Sequence, residues 1–362
     1  MLVLCPFPPD TAAGQRLKYE AYLDDWRRAG WDVEVSAFCD HALWRVLYQP
    51  GQWRAKLRGT LAGYRRRLAD LLRLRRYDLV YVYLWVTPLG PALSERWVAR
   101  LARKLVYDME DNLVAGREPV AANHPNPLLR RFKGAAKPRV LVAAADAVIV
   151  AAPALVDPAL ALNRAGRVHC IPPSLDTDRI CPAPPRAAPE VPVIGWTGTF
   201  SSRIYLDDLA DVLRELARRV PYRLRVIGNF DYALDGVDCE VVRWSAANEA
   251  RDLQALDIGI YPLRDDPWTR GKAGLKLIQY QAAGLPCVAS AVPLSVQQLR
   301  DGETGFVVRD PAQWLDRLER LLRDPALRQR MGAAGRRDAV ERYARTAIAP
   351  AYRAVLDALV PA

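Results

Sequence analysis

Histidine is nearly absent, with 3 in 362 residues, and the 6 cysteines stand alone at Cys5, Cys39, Cys170, Cys181, Cys239 and Cys287. No two of them fall at the close spacing that builds a zinc site. The same isolation argues for small core residues in a reducing compartment rather than a disulfide framework. No apolar run approaches the ~20 residues of a membrane span. Residues 1–10 lack the basic start and long apolar middle of a secretory leader. No G-x-G-x-x-G follows the first apolar run, which disfavours a nicotinamide dehydrogenase. Together these absences predict a soluble, cytoplasmic chain with no structural metal.

What is present is globular. The chain is 51% hydrophobic and 26% charged, too apolar for disorder, and its length suits two domains at roughly 150 residues each. The formal net charge of +11 is unevenly spread. Residues 1–180 hold 27 Lys/Arg against 18 Asp/Glu, a net of +9, while residues 181–362 carry only +2. The excess therefore belongs to the first half.

Short apolar runs alternate with helix-like stretches. Leu2–Cys5, Trp31–Phe38, Asp78–Tyr83, Lys104–Asp108, Ala147–Val150 and Val168–Ile171 read as strands, with a helix over about Gln15–Ala29 stopped by Gly30. Four prolines in residues 181–190 read as a linker. The rhythm then restarts with Val193–Trp196, Tyr222–Ile227, Glu240–Val242, Ile258–Tyr261, Cys287–Ser290 and Gly305–Val308, and Ala326–Leu359 is helical by pattern. Strands separated by helices predict parallel, doubly wound α/β sheets. The expected layout is a first Rossmann-like domain over 1–180, the linker 181–190, a second Rossmann-like domain over 191–340, and a helix over 341–362 returning to the first domain. Ligands of such sheets bind beyond the carboxyl ends of the strands, so a cleft between the two domains is the expected site.

The richest stretch is Trp268–Ser290. Gly271 and Gly274 permit close backbone approach, and Leu275–Ala283 then has helical spacing. A glycine-rich entry to a helix presents free N–H groups and the positive dipole end to an anion. Arg270, Lys272 and Lys276 add charge there.

This stretch resembles the signature of glycosyltransferase family 4, in the bacterial subgroup with the pattern GKxGxKLxQYxAAGLPxVAS. Other segments resemble the family in the expected order: Ile171–Asp178, Val193–Gly198, Ala255–Leu263, Asp301–Phe306 and, in the first domain, Tyr107–Asp111. The resemblance spans essentially the whole chain. It implies two Rossmann-like domains facing across a cleft (the GT-B fold) and a retaining, metal-independent transfer from a nucleotide sugar. Many members carry two glutamates in the signature; here Gly271 and Gln279 stand at those positions, so roles given to those acids do not carry over. Gln279 still donates and accepts hydrogen bonds to sugar or ribose hydroxyls.

Departure of a nucleoside diphosphate develops negative charge, and stabilising it is the main catalytic task. The expected donor-binding set is Gly198, Thr199, Arg203, Trp244, Arg270, Lys272, Gly274, Leu275, Lys276 and Gln279. Trp244 is placed to stack on or border the base. Asp108 and Asp111, with Lys272 and Arg203, are the expected catalytic residues; Glu110, Gly14 and Arg16 form the acceptor side. His124 lies in a loop, Asn-His-Pro-Asn-Pro, and reads as structural.

Residues 54–76 hold nine Lys/Arg and one acid, Asp70, with Leu57, Leu61, Tyr64, Leu68 and Leu71 at helical spacing. Such a helix suits an anionic membrane surface at the inner face of the cytoplasmic membrane. No nucleic-acid motif accompanies it, so nucleic acid is not expected as a partner. The expected function is transfer of a sugar from a nucleotide sugar to a glycan, lipid-linked or small-molecule acceptor in bacterial polysaccharide or glycolipid synthesis. Two alternatives stand beside it: a degenerate relative that binds glycan or a partner, and a nucleotide-sugar epimerase.

Overall fold

The computed structural model describes residues 1–47, 49–110, 136–184 and 190–360. The chain divides into two compact units. The first comprises Met1–Ser174, Gly271–Ala273 and Ile348–Ala362; the second comprises Leu175–Arg270 and Gly274–Ala347. The division falls six residues before the expected limit at 180, and the reason is local. Leu175 bridges to Ala344, and the Arg336 guanidinium donates to the carbonyls of Thr177, Ile180 and Ala282, each at 2.8 Å. The segment that leaves the first sheet is thereby tied to the second unit's helix Pro325–Tyr343.

Each unit is built on one six-stranded parallel sheet. The first contains β1 (Leu2–Cys5), β2 (Glu34–Ala37), β3 (Val80–Tyr83), β4 (Leu105–Met109), β5 (Ala147–Val150) and β6 (Val168–Cys170), in the order β2-β1-β3-β4-β5-β6. The second contains β7 (Val193–Thr197), β8 (Arg223–Ile227), β9 (Asp238–Val242), β10 (Ile258–Tyr261), β11 (Cys287–Ser290) and β12 (Gly305–Val308), in the order β12-β11-β10-β7-β8-β9. Their central strands are buried throughout, which is why they read as continuous apolar runs. The strand order reverses between β1 and β3 in one sheet and between β7 and β10 in the other. At such a switch point the connections leave in opposite directions and open a crevice at the carboxyl ends.

Three elements differ from their sequence pattern. The expected Gln15–Ala29 helix is three short pieces, Ala13–Arg16, a 3-10 turn Tyr19–Tyr22, and Leu23–Arg28. The break is at Lys18, whose backbone leaves helical values (φ −117, ψ −120) and whose ammonium is buried on Asp108. The C-terminal helical stretch divides at Ala344 into Pro325–Tyr343 and Arg345–Leu359. From Ile348 on, the latter packs Ile348, Tyr352, Val355 and Leu356 into the first unit's core.

The third difference is the basic helix, Trp53–Arg73, continued by the turn Leu74–Arg76. Its expected apolar stripe is split. Tyr64 and Leu71 face inward, but Leu57, Leu61 and Leu68 are more than half exposed, as are Trp53 and Leu72. What the helix buries instead is polar. Arg67, 1% exposed, donates to the carbonyls of Cys5 (2.6 Å), Ser36 (2.9 Å) and Val86 (2.9 Å) and to the Asp70 carboxylate (3.0 Å). A guanidinium has donors enough to satisfy all four, so this charge braces strand ends and frees the leucines to face outward. No helix among the described residues is long and apolar enough to cross a membrane.

Candidate functional site

In the second unit the crevice between β7 and β10 is capped by the helix Leu275–Ala282. Gly274 begins it with a left-handed backbone (φ +70), and a side chain there would run into the Gln298 amide. Only glycine meets both conditions. The first turn's N–H groups and dipole end are therefore presented at the crevice. The helix is seated by Tyr280, whose hydroxyl accepts the Thr197 N–H at 2.9 Å, and by Gly259, which leaves room for the Tyr280 ring. Burial pushes the Tyr280 phenol far up, so it stays neutral.

Lys276 stands at the switch point. Its Nζ lies 4.5 Å from the Trp196 ring centroid and 5.6 Å from that of Tyr261, and 3.5 Å from Ser202 Oγ. Trp196 belongs to β7 and Tyr261 ends β10, so the ammonium is held between the two strands by their aromatic faces. On the β7 side, Gly198 packs against the Trp196 ring, and the Ser202 hydroxyl accepts the Thr199 N–H at 3.1 Å and donates to the Thr199 carbonyl at 3.0 Å. Glycine turn, hydroxyls, ammonium and helix N-terminus lie together at the β7/β10 switch point, an arrangement whose chemistry suits a phosphorylated ligand.

The other expected cations are differently placed. Arg203 pairs with Asp207 at 3.3 Å and lies over the Tyr232 ring, whose phenol burial raises to about 12. Arg270 forms a two-pronged pair with Asp265, at 2.7 and 3.0 Å. Lys272 belongs to Gly271–Ala273, which groups with the first unit rather than with Arg270 and Gly274. Leu275 opens the helix and is half-buried. Gln279, one turn in, donates from Nε2 to Glu249 Oε1 at 3.0 Å, and Trp244 Nε1 donates to the same oxygen at 3.2 Å.

In the first unit Asp108 is the main correction. The sequence marks it as a catalytic residue, which must reach a substrate, yet it is wholly buried. Lys18 Nζ reaches one carboxylate oxygen at 2.6 Å; the Tyr81 and Tyr352 hydroxyls reach the other at 2.5 and 3.4 Å. Strand alternation explains this: Asp108 lies on the same β4 face as Val106, under Tyr19, Tyr81 and Tyr352. Burial, then the Asp108 charge, pushes the Tyr81 and Tyr352 phenols well above their ordinary range. Asp108 acts as an internal anchor.

Glu110, two residues on, is half-buried and accepts from the Tyr83 hydroxyl. Gly14 packs on both groups, leaving no space for a side chain. Glu110, Tyr83 and Gly14 thus meet at the β1/β3 switch point, and Arg16 ends the same short helix as Gly14. The loop after β1 is held by Gln15, which bonds Phe7 N (2.9 Å) and O (3.0 Å) and the Glu20 carboxylate (2.8 Å). Asp111 and His124 lie outside the described residues. Lys18 and Glu249 were missed as site-shaping groups. The sequence signal for the first unit was the two-residue spacing of Tyr81/Tyr83 and Asp108/Glu110, which puts each pair on one face of adjacent strands.

Known proteins resemble the chain in sequence and in fold. Residues 191–324 match the family Glycosyl transferases group 1. A D-inositol 3-phosphate glycosyltransferase of Kineococcus radiotolerans is 29% identical over 332 residues, covering 80% of this chain and 72% of the relative. One from Xylanimonas cellulosilytica is 27% identical over 298 residues, covering 74% and 68%. Among solved structures, the sucrose-phosphate synthase of Thermosynechococcus elongatus superposes with a TM-score of 0.69 at 18% identity, over 99% of each chain. Anabaena HepE in complex with UDP and glucose gives 0.68 at 15% identity, also over 99% of each chain. The second unit thus resembles a glycosyltransferase family over residues 191–324, and the relatives that match over most of the chain carry a glycosyltransferase name. More narrowly, its two six-stranded parallel sheets give the chain the GT-B fold of these solved structures.

Proposed function

We propose that the chain transfers a sugar, with retention of configuration, from a nucleoside diphosphate sugar to a glycan, lipid-linked or small-molecule acceptor. The observation that carries this is Lys276, fixed between Trp196 and Tyr261 beside the N-terminus of the Leu275–Ala282 helix. Diphosphate oxygens seated there meet an ammonium, backbone N–H groups and the hydroxyls of Thr199 and Ser202. As the bond between the anomeric carbon and the phosphate oxygen breaks, its electron pair stays on the diphosphate, where these groups stabilise it. The acceptor hydroxyl attacks from the face the leaving group departs, and a diphosphate oxygen takes its proton. In this reading the Lys276 ammonium and the helix N–H groups carry the charge, without a metal ion.

The UDP-bound solved structure favours a uridine nucleotide, and the relatives named for D-inositol 3-phosphate favour a hydroxylated acceptor bearing an anionic group. Glu110 and Arg16 at the β1/β3 switch point are the groups we assign to that acceptor. A role in bacterial cell-surface polysaccharide or glycolipid synthesis fits the Trp53–Arg73 helix, whose exposed Trp53, Leu57, Leu61, Leu68 and Leu72 are flanked by exposed Arg54, Arg58 and Arg65. Apolar insertion and attraction to anionic headgroups then act together at the inner face of the cytoplasmic membrane.

The test is a thermal-shift and turnover screen with UDP, GDP and dTDP and their sugars. One nucleoside diphosphate should raise the melting temperature, by about 2.7 kcal/mol of stabilisation at a hundredfold excess over Kd, and its sugar should be slowly hydrolysed without acceptor. Failure of every nucleotide to bind would sink the reading.

A further inference from the structure

The segment that follows β3 is held more firmly than a surface connection needs. Leu84 has a left-handed backbone (φ +59), uncommon for a residue with a side chain. Its N–H donates to the Asp108 carbonyl at 3.0 Å, and its own carbonyl accepts the Tyr107 hydroxyl at 2.8 Å. Beyond it, Arg67 donates to the Val86 carbonyl at 2.9 Å. Lys137 donates to the Thr87 carbonyl, the Thr87 hydroxyl and the Leu89 carbonyl at 2.8, 2.7 and 3.0 Å, and Glu95 accepts the Thr87 N–H at 3.2 Å. Arg67, Lys137 and Glu95 are each at most 3% exposed, and burying charges is costly. Strain and buried charge on one short connection point to a side chain whose position matters. Between Leu84 and Val86 stands Trp85, half-buried.

Trp85 belongs to an aromatic cluster at the carboxyl ends of the neighbouring strands β2, β1 and β3. Its ring centroid lies 6.2 Å from that of Phe7, after β1, and 5.6 Å from that of Phe38, after β2, both edge to face. Phe38 is buried; Phe7, like Trp85, is half-buried. Phe7 is fixed as well, since the Gln15 amide bonds its N–H at 2.9 Å and its carbonyl at 3.0 Å. The residue before Gln15 is Gly14, which packs on the Tyr83 hydroxyl and the Glu110 carboxylate. Two rigidly mounted rings are thereby tied to an acid through two consecutive residues. That pairing fits a sugar. The C–H bonds on one face of a pyranose are weakly positive and stack on the electron-rich face of an aromatic ring, while the hydroxyls at its rim need a hydrogen-bonding partner. An alkyl chain would gain nothing from the carboxylate.

We propose that Trp85 and Phe7 form a stacking subsite for a pyranose ring of the acceptor, with Glu110 taking one of its hydroxyls. The proposal rests on the reading of the first unit as the acceptor side, and it narrows the acceptor to a molecule that presents a sugar ring. Because both rings are fixed before the sugar arrives, little of the stacking is lost to ordering side chains.

The experiment is NMR titration with saturation transfer, on the full chain, using the methyl and octyl β-pyranosides of glucose, galactose, mannose and N-acetylglucosamine, with 1-octanol as the alkyl control. For at least one sugar both glycosides should bind with similar affinity, and saturation should reach the C–H protons of the ring. Trp85→Leu and Phe7→Leu keep apolar volume but remove an aromatic face, and each should weaken that binding by about tenfold. Trp85→Phe keeps a ring and should lose no more than about threefold. The proposal is overturned if no pyranoside binds, if only the octyl protons are saturated, or if both leucine variants bind as wild type does. It is also overturned if Trp85→Phe is weakened as much as Trp85→Leu, the mark of a merely structural tryptophan. Phe7→Leu carries the test should Trp85→Leu fail to fold. A UDP titration of wild type separates the two readings. UDP binding without pyranoside binding overturns the subsite alone; pyranoside binding without UDP binding supports the subsite and removes the donor-site reading.

Discussion

The two units share an architecture but use their charges in opposite ways. The first carries most of the excess positive charge, yet at its centre a lysine is spent on an internal acid, Lys18 on Asp108, with two tyrosines completing the cluster. Its surplus arginines lie outward on the Trp53–Arg73 helix. The second half is nearly neutral, yet it sets one ammonium at the crevice where the strand order reverses. Net charge therefore points to a surface, whereas a ligand site depends on where a single cation is held. A basic domain attracts anionic partners over a Debye length of about 10 Å; a fixed ammonium beside a helix N-terminus binds one phosphate.

The sharpest way to break the comparison is to attack the first unit's internal pair. Asp108→Ala leaves Lys18 buried without its partner, and unfolding free energy should fall by about 3–5 kcal/mol, read by urea denaturation. If the loss is below about 1 kcal/mol, the cluster is not an anchor and Asp108 is available for chemistry after all. In the second unit, Lys276→Ala should leave stability nearly unchanged but weaken nucleoside diphosphate binding by about ten- to a hundredfold, the worth of a charge-assisted bond of about 1.5–3 kcal/mol. Equal damage to stability and to binding would make Lys276 a packing residue.

The outer surface of the first unit is tested by Leu57→Glu with Leu61→Glu. Both side chains are more than half exposed, so folding should hold while binding to anionic vesicles at low salt falls by about 2 kcal/mol, roughly thirtyfold. Wild-type indifference to such vesicles would reduce the helix to a solvated face. The smallest effect concerns Gln281, fully buried, with neither amide atom hydrogen-bonded among the described residues. Gln281→Leu should raise stability by about 1 kcal/mol, because two unmatched polar atoms are replaced by a similar apolar volume. A loss of stability would mean that the amide has a partner such as an ordered water.

The strands were legible because parallel strands buried on both faces are short unbroken apolar runs; Ala147–Val150 and Ile258–Tyr261 begin and end where their sequences do. The stretch after β1 was not legible. Tyr19, Tyr22 and Trp26 keep helical spacing through a chain that breaks at Lys18 to reach Asp108, ninety residues away. Tertiary pairing overrode local pattern there. The basic helix was legible as a helix but not in its orientation, since no sequence pattern announces that Arg67 will be buried and Leu57 exposed. Around the candidate site, residue types gave the glycine turn, the helix entry and the surrounding cations. What they left out was commitment: Arg270 to Asp265, Arg203 to Asp207, and Glu249 to Trp244 and Gln279. Such pairings depend on rotamers and strand order, which one-dimensional spacing does not carry.

The central claim is that the nucleotide is held at the second unit's switch point. Hydrogen–deuterium exchange with and without a saturating nucleoside diphosphate tests it directly. The account predicts slowed exchange over residues 198–203 and 274–279, with the loop after β1 and the Trp53–Arg73 helix unchanged. Protection confined to the first unit, or none at all under saturation, would contradict it.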